Sequence, residues 1–182
     1  MSKPSLVVVL AEDKRQQDFL RGLLKEAGYS IRNIRFQALP AGRKSGEQHV
    51  RQRFPSEVKA ARNRSARAST GLAVMIDADT RPTAMIRASL RDALMENQEP
   101  PVGPEEGIGI FVPKRHIETW VLALDGLSVD EQEDCKGRVH DHQMQPAGRK
   151  LIEQLKSVQP CPPQWIPSLK EAAPEAKRLL PA

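Results

Sequence analysis

The chain has 182 residues and a formal net charge of +5, with 39% hydrophobic, 28% charged and only 4% aromatic residues, so one domain with an aliphatic core is expected. This composition excludes collagen, coiled coil and full disorder. The longest apolar stretch, Leu6 to Ala11, is far short of the roughly 20 residues a spanning helix needs, and Glu12 and Asp13 right after it argue against a signal peptide. Cys135 and Cys161 are too few for a disulfide framework or a four-Cys zinc site, and the expectation is a soluble, cytoplasmic protein with no membrane partner.

Leu6–Leu10 reads LVVVL, a continuous β-branched run bounded by polar residues, and predicts a buried strand. Lys14–Ala27 places Phe19, Leu20, Leu23 and Leu24 at helical spacing, with Gly28 as the stop. Ser30–Leu39 alternates weakly and predicts a second strand; Pro40–Gly46 reads as a loop. Pro55 is expected to split the next stretch into two helices, the second over Ser56–Ser69 with Ser56 as its cap. Leu72–Ile76 (LAVMI) predicts a buried strand running into Asp77-Ala78-Asp79-Thr80. Thr83–Asn97 reads as an amphipathic helix, Ile108–Val112 as another strand, and His116–Leu124 as a helix with Ile117, Trp120, Val121 and Leu124 inward. Ser128–Arg149 is polar and low in aliphatics, Lys150–Val158 reads as a short helix, and Ser168–Leu180 as the last.

Buried strands alternating with helices imply an α/β fold with a mostly parallel central sheet and helices on both faces, followed by an irregular helical C-terminal part. The expected organisation is an α/β domain over 1–125 with a basic insert at 41–70, and a polar, Pro-rich extension over 126–182 packed on it. In such sheets ligands sit beyond the carboxyl ends of the strands. Glu12, Asp77, Asp79 and the segment Lys114 to Glu118 all follow strand ends.

Arg43, Lys44, Arg51, Arg53, Lys59, Arg62, Arg64 and Arg67 face only Glu47 and Glu57 in the same stretch; eight cations against two anions make +6, more than the whole chain carries. Such a block suggests an anionic partner, nucleic acid above all, against the plainer reading of a solvated helix face. Arg43, Lys44, Arg51, Arg53, Arg62 and Arg64 are the expected backbone contacts.

Asp77 and Asp79, one residue apart in an extended stretch, would point to one side. Two carboxylates held together repel unless a cation lies between them, and Mg²⁺ prefers carboxylate oxygens while keeping waters for a phosphate. Read as an ordinary loop, the pair would merely cap the helix that follows. Glu12 reads either as a favourable charge at a helix start or as a third ligand or general acid/base, with Asp13 able to substitute. Glu118 sits near a helix start and is open to the same two readings. Lys114, Arg115 and His116 can hold phosphate charge or face solvent. His140-Asp141-His142 resembles a zinc cluster but lacks a third strong ligand at a recognisable spacing. Trp120 and Trp165 read as core anchors, and the shortage of aromatics argues against a base-stacking single-strand binder.

A strand ending in Glu (LVVVLAE, to Glu12) and a strand ending in Asp-x-Asp (LAVMIDAD, to Asp79) resemble the TOPRIM domain, the topoisomerase–primase fold. The run FVPKRHIETWVLAL, Phe111 to Leu124, and the closing SLKEAAPEAKRLL, Ser168 to Leu180, resemble small stand-alone relatives of the nuclease half of the OLD family, which is often encoded beside ATPases in phage-defence loci. The likeness spans roughly Ser5 to Leu124. It departs from the family at Asp13, where Gly is usual, and at Gln16, where an acid is frequent. The resemblance implies a site for Mg²⁺ or Mn²⁺ at Glu12, Asp77 and Asp79, with Glu118 as the added acidic residue of nuclease-like members. The expected activity is a metal-dependent nuclease with Lys114 balancing phosphate charge. The alternative is a non-catalytic regulatory or nucleic-acid-binding subunit of an ATPase complex. A receiver-type phosphoacceptor also fits Glu12-Asp13, but less well the later Asp pair and the basic insert.

Overall fold

The computed structural model describes residues 5–41, 45–68, 70–157, 162 and 164–180. Four strands, β1 (Leu6–Ala11), β2 (Ile34–Phe36), β3 (Thr70–Met75) and β4 (Ile108–Phe111), form one parallel sheet in the order β2-β1-β3-β4. Six α-helices are present among the described residues: α1 (Lys14–Glu26), α2 (Gly46–Ser65), α3 (Thr83–Glu96), α4 (Ile117–Leu124), α5 (Met144–Ser157) and α6 (Pro167–Lys177). The expected α/β architecture is the one found.

The period-two alternation of strand side chains divides the core into two layers. Val7, Val9, Ala11, Ala73, Met75 and Phe111 pack with α1, α4, α5 and α6. Val8, Leu10, Leu72, Val74 and Ile76 pack with Val50, Phe54 and Val58 of α2 and Ile86, Leu90 and Leu94 of α3. Both faces of the sheet are therefore covered, which is why β1 and β3 are apolar without interruption. The chain leaves β1 for β2 on one side, and passes through β3 to β4 on the other. The order reverses between β1 and β3, and their carboxyl ends flank the crevice where such sheets bind ligands.

The weak alternation over Ser30–Leu39 yields only the three residues Ile34–Phe36 as strand, preceded by a 3₁₀ turn at Ile31–Asn33. Pro55 does not split the helix around it: α2 runs unbroken for 20 residues. Proline removes one backbone donor, whereas Val50, Phe54, Val58 and Ala61 hold both halves of α2 to one core layer. Ser56 is consequently no cap; its hydroxyl donates to the Arg53 carbonyl at 2.8 Å. The helix expected from Lys150 begins at Met144, and Val158 lies outside the described residues, as do Ser69 and Cys161. Its first turn looked irregular because it packs through small residues. A Cβ on Gly22 of α1 would lie 2.0 Å from the Gln145 carbonyl oxygen, and one on Gly148 would lie 2.0 Å from that of Phe19. Two glycines thus let α1 and α5 approach backbone to backbone, and α5 and α6 complete the core layer started by α1.

Candidate active site

The β1–α1 turn puts Glu12 and Asp13 at the carboxyl end of β1. Asp13 is the N-cap of α1, its carboxylate accepting from the Gln16 N–H at 2.9 Å. The Gln16 side-chain oxygen accepts in turn from the Glu12 N–H at 3.0 Å. The two residues that depart from the TOPRIM pattern therefore form a reciprocal helix cap, which satisfies two otherwise orphaned donors.

Glu12 lies beside Asp77: Oε1 accepts from the Asp77 N–H at 2.6 Å. The Glu12 carboxyl is pushed up to about 7, chiefly by burial; the Asp77 N–H pulls it down, and the charges of Asp13, Asp79 and Glu47 push it further up. Asp77 is raised well above the ordinary carboxylate range, first by burial and then by the charges of Glu12, Asp13, Glu118 and Asp79. Its Oδ1 is buried with no hydrogen-bond partner. Such an atom is costly to leave uncompensated.

Asp79 differs. It is exposed, and its φ of +51° puts it in a left-handed turn, so the extended same-side geometry expected of the Asp77/Asp79 pair does not hold. Asp is among the residues that tolerate this conformation. The turn is held against the β4–α4 loop: the Ala78 N–H donates to the Pro113 carbonyl at 2.8 Å and the Asp79 N–H to that of Arg115 at 3.1 Å. Lys114 completes the clamp, donating to the carbonyls of Thr80 (3.3 Å) and Arg81 (2.7 Å). The lysine expected to meet phosphate thus holds the acidic loop with two of its three N–H donors.

Glu118 is buried in the first turn of α4 and lies 2.5 Å from Arg15 Nη1. Arg15 Nε also reaches Asp141 at 2.7 Å. His116 is buried at the N-cap of α4, with Nε2 3.0 Å from Asp134 and Nδ1 unpartnered; burial lowers its pKa. The start of α2 closes another side. A Cβ on Gly46 would lie 2.7 Å from the Glu12 Cβ, so only glycine allows this approach. Arg81 binds Glu47 through two 2.8 Å hydrogen bonds, tying the start of α2 to the Asp79 turn and holding Glu47 below the usual carboxylate range.

The five cations of the basic block that lie in α2 do not form one face. On a helix of 3.6 residues per turn, Arg51, Lys59 and Arg62 fall on one flank of the buried stripe of α2, and Arg53 and Arg64 on the other. Arg51 lies 3.1 Å from Glu47. Arg62 is consumed by Glu106 (2.7 Å), Glu99 (3.0 Å) and the Pro101 carbonyl (3.1 Å). Arg53 is exposed, Arg64 is half-buried, and Arg43 and Lys44 lie outside the described residues. His140 and His142 are exposed and stack at 5.7 Å, whereas Cys135 is buried. Trp120 and Trp165 are core residues, bonded to Ser168 (2.8 Å) and Gln154 (2.6 Å).

Of the residues expected from the sequence, the structure brings Glu12 and Asp77 together and turns Glu118 to Arg15; Arg15, Arg81, Glu47 and Gly46, which the sequence did not single out, surround them. The one local signal was Arg15 in the first turn of α1, three residues after Glu12. Among the described residues no three His, Cys, Asp or Glu side chains converge closely enough to hold a metal ion. Glu12 and Asp77 do form a repelling, partly buried pair with one unsatisfied oxygen, and a divalent cation fits that chemistry. Comparison with known proteins found no matching family model, curated protein or solved structure.

Proposed function

We propose that this protein is a divalent-metal-dependent phosphodiesterase acting on nucleic acid, of TOPRIM-like type. The observation that carries the reading is the buried, unpartnered Oδ1 of Asp77 beside Glu12, at the crevice between β1 and β3. Purely structural carboxylates are paired with cations or donors; this one is surrounded by other carboxylates. Glu12 and Asp77 would hold Mg²⁺ or Mn²⁺ with Asp79 at the mouth. When bound, the cation supplies neutralisation of the phosphodiester charge and acidification of a water. The chain's own residues orient that site: Asp13 and Gln16 fix the turn carrying Glu12, and Lys114 and Arg81 fix the turn carrying Asp79. Arg53 on the outer flank of α2 is available to the nucleic-acid backbone, where contacts add affinity without reading sequence.

The test is cleavage of plasmid and oligonucleotide with Mg²⁺ or Mn²⁺ by wild type, Asp77→Asn and Asp79→Asn. Asparagine removes the charge and still tolerates the left-handed turn at Asp79. Loss of cleavage in both variants with the fold intact is the expected result. Cleavage that survives both would sink the reading.

A second reading, a non-catalytic nucleic-acid-binding or regulatory subunit of an ATPase complex, is favoured by one observation. Glu118, the added acid, is neutralised by Arg15 instead of facing the crevice alone. A wild type inactive both by itself and with an ATPase encoded next to it would decide for that reading.

A further inference from the structure

The phosphodiester reading needs a cation for the substrate, and the residue expected to supply it, Lys114, is bound to two carbonyls. Arg81 spends both terminal nitrogens on Glu47. Arg115 is partly exposed, and no carboxylate among the described residues holds its guanidinium in place. Arg15 is different. It rises from the first turn of α1, three residues after Glu12. Its Nη1 is held by Glu118, whose own charge reaches Asp77, and its Nε is held by Asp141 from the turn before α5. Nη2 has no partner among the described residues and is not among the buried atoms left unsatisfied, so it faces solvent. Its side chain is 34% exposed, whereas that of Glu118 is 5% exposed. The buried Glu118, whose charge reaches Asp77, thus holds the guanidinium, with the exposed Asp141 beside it, and leaves the nitrogen Nη2 to the solvent side.

We propose that Arg15 is the phosphate-holding residue of this site, and that Glu118 and Asp141 are positioning residues that set its guanidinium. This rests on reading the acidic centre as a phosphodiester site. The planar guanidinium presents fixed N–H donors to phosphate oxygens, and pre-set orientation reduces the entropy lost on binding. It also accounts for Glu118 sitting next to an acidic centre while turned to an arginine: its function is to hold the arginine. Through Asp141, the C-terminal part of the chain joins the site.

The experiment uses the full chain and a fluorescein-labelled oligonucleotide. Affinity is measured with Ca²⁺, and cleavage and KM with Mg²⁺. Arg15→Gln should weaken binding by about tenfold or more, as expected for loss of charged hydrogen bonds. Arg15→Lys should recover only part of this, and Asp141→Asn should raise KM more than it lowers kcat. Because Arg15→Gln leaves the buried Glu118 unpaired, the double variant Arg15→Gln/Glu118→Gln is measured alongside. Recovery of the melting temperature without recovery of binding supports the proposal. Recovery of both, unchanged binding in Arg15→Gln, or a wild type that binds no oligonucleotide overturns it. A wild type that binds through Arg15 but never cleaves supports Arg15 while sinking the phosphodiesterase reading, and Asp79→Asn losing cleavage at unchanged affinity separates the two in the other direction.

Discussion

Two charged clusters in this protein are made of the same residue types and behave in opposite ways. At Arg62, one guanidinium gathers Glu99, Glu106 and a carbonyl, and Glu106 is held below the usual carboxylate range, chiefly by its hydrogen bonds to Arg62. At the carboxyl end of β1 and β3, Glu12 and Asp77 are bonded to no guanidinium among the described residues, Arg81 feeling Glu12 only at a distance, and both are raised, chiefly by burial. The first cluster is closed: each charge has its partner, and its work is to pin the 99–106 loop to α2. The second is open, with one buried oxygen left over. A depressed carboxylate marks a completed interaction, and a raised one in a crevice marks an interaction still to be made.

The sharpest separation of the two clusters is by pH in the presence of a chelator. Glu12 rises from an ordinary 4.5 to about 7 on folding, so between these values the folded chain keeps a proton that the unfolded chain has released. Its stabilising contribution is complete below the unfolded value and is lost as pH rises through about 7, up to about 3 kcal/mol for this one group. Asp77 acts in the same direction. Glu106 and Glu47, being lowered, stabilise above their unfolded values and lose that contribution as pH falls through their depressed ones. His116, lowered by burial, works the other way: its contribution is present above its unfolded value and is lost as pH falls below it. The part due to the acidic centre is therefore read against Glu12→Gln: relative to that variant, the urea midpoint of the metal-free wild type should fall between about pH 5 and about pH 8. A difference that does not fall over this interval would mean that the acidic centre is compensated after all.

Metal should close the open cluster. Millimolar Mg²⁺ or Mn²⁺ is expected to raise stability at pH 8, by about 2.7 kcal/mol at a hundred times Kd. Asp77→Asn should abolish that gain while raising the stability of the metal-free protein, because it removes a repelling buried charge. A thermal melt indifferent to both metals would count against the site.

Arg62→Ala should do the reverse, costing about 2 kcal/mol by leaving Glu99 and Glu106 without their cation. Arg62 and Glu106 remain partly solvated, at 20% and 29% exposure, and water screens part of their attraction. Nucleic-acid affinity should change little, since Arg62 is not free to contact phosphate. A large loss of affinity with stability unchanged would restore the basic-face expectation.

The smallest effect is expected at Asp79→Asn, within about 0.5 kcal/mol of wild type by urea titration, since the residue is exposed and Asn keeps the left-handed turn. A cost of several times that would show that Asp79 belongs to the structural framework.

Much of this was written locally. The short, β-branched or aliphatic apolar runs at the heart of β1, β3 and β4 pointed to strands covered on both faces, and with the intervening amphipathic helices to a parallel sheet. That alone put Glu12, Asp77 and the Lys114–Glu118 segment at one end of the molecule. Periodic patterns report burial, however, and burial is blind to what small or polar residues do at close range. Pro55 looked like a break because its local effect is large, but the core layer under α2 outweighs one missing donor. The start of α5 looked irregular because Gly148 contributes contact through absence of a side chain.

Charge pairing was the least legible level. Eight clustered cations suggested one basic face, yet helix geometry sends the five that lie in α2 to two flanks, and Glu99 and Glu106 arrive from another loop to take Arg62. Arg15 meets Glu118 and Asp141 across separations of 103 and 126 residues, and no spacing rule encodes such a meeting. The sequence by itself determined the layers, the end of the sheet that carries the acids and the identity of those acids, because hydrophobic period and strand length act over a few residues. Only the tertiary structure decided which acids are neutralised and which are left open, because that depends on which distant loops come within hydrogen-bond reach, where a few ångströms decide between a partnered carboxylate and a bare one.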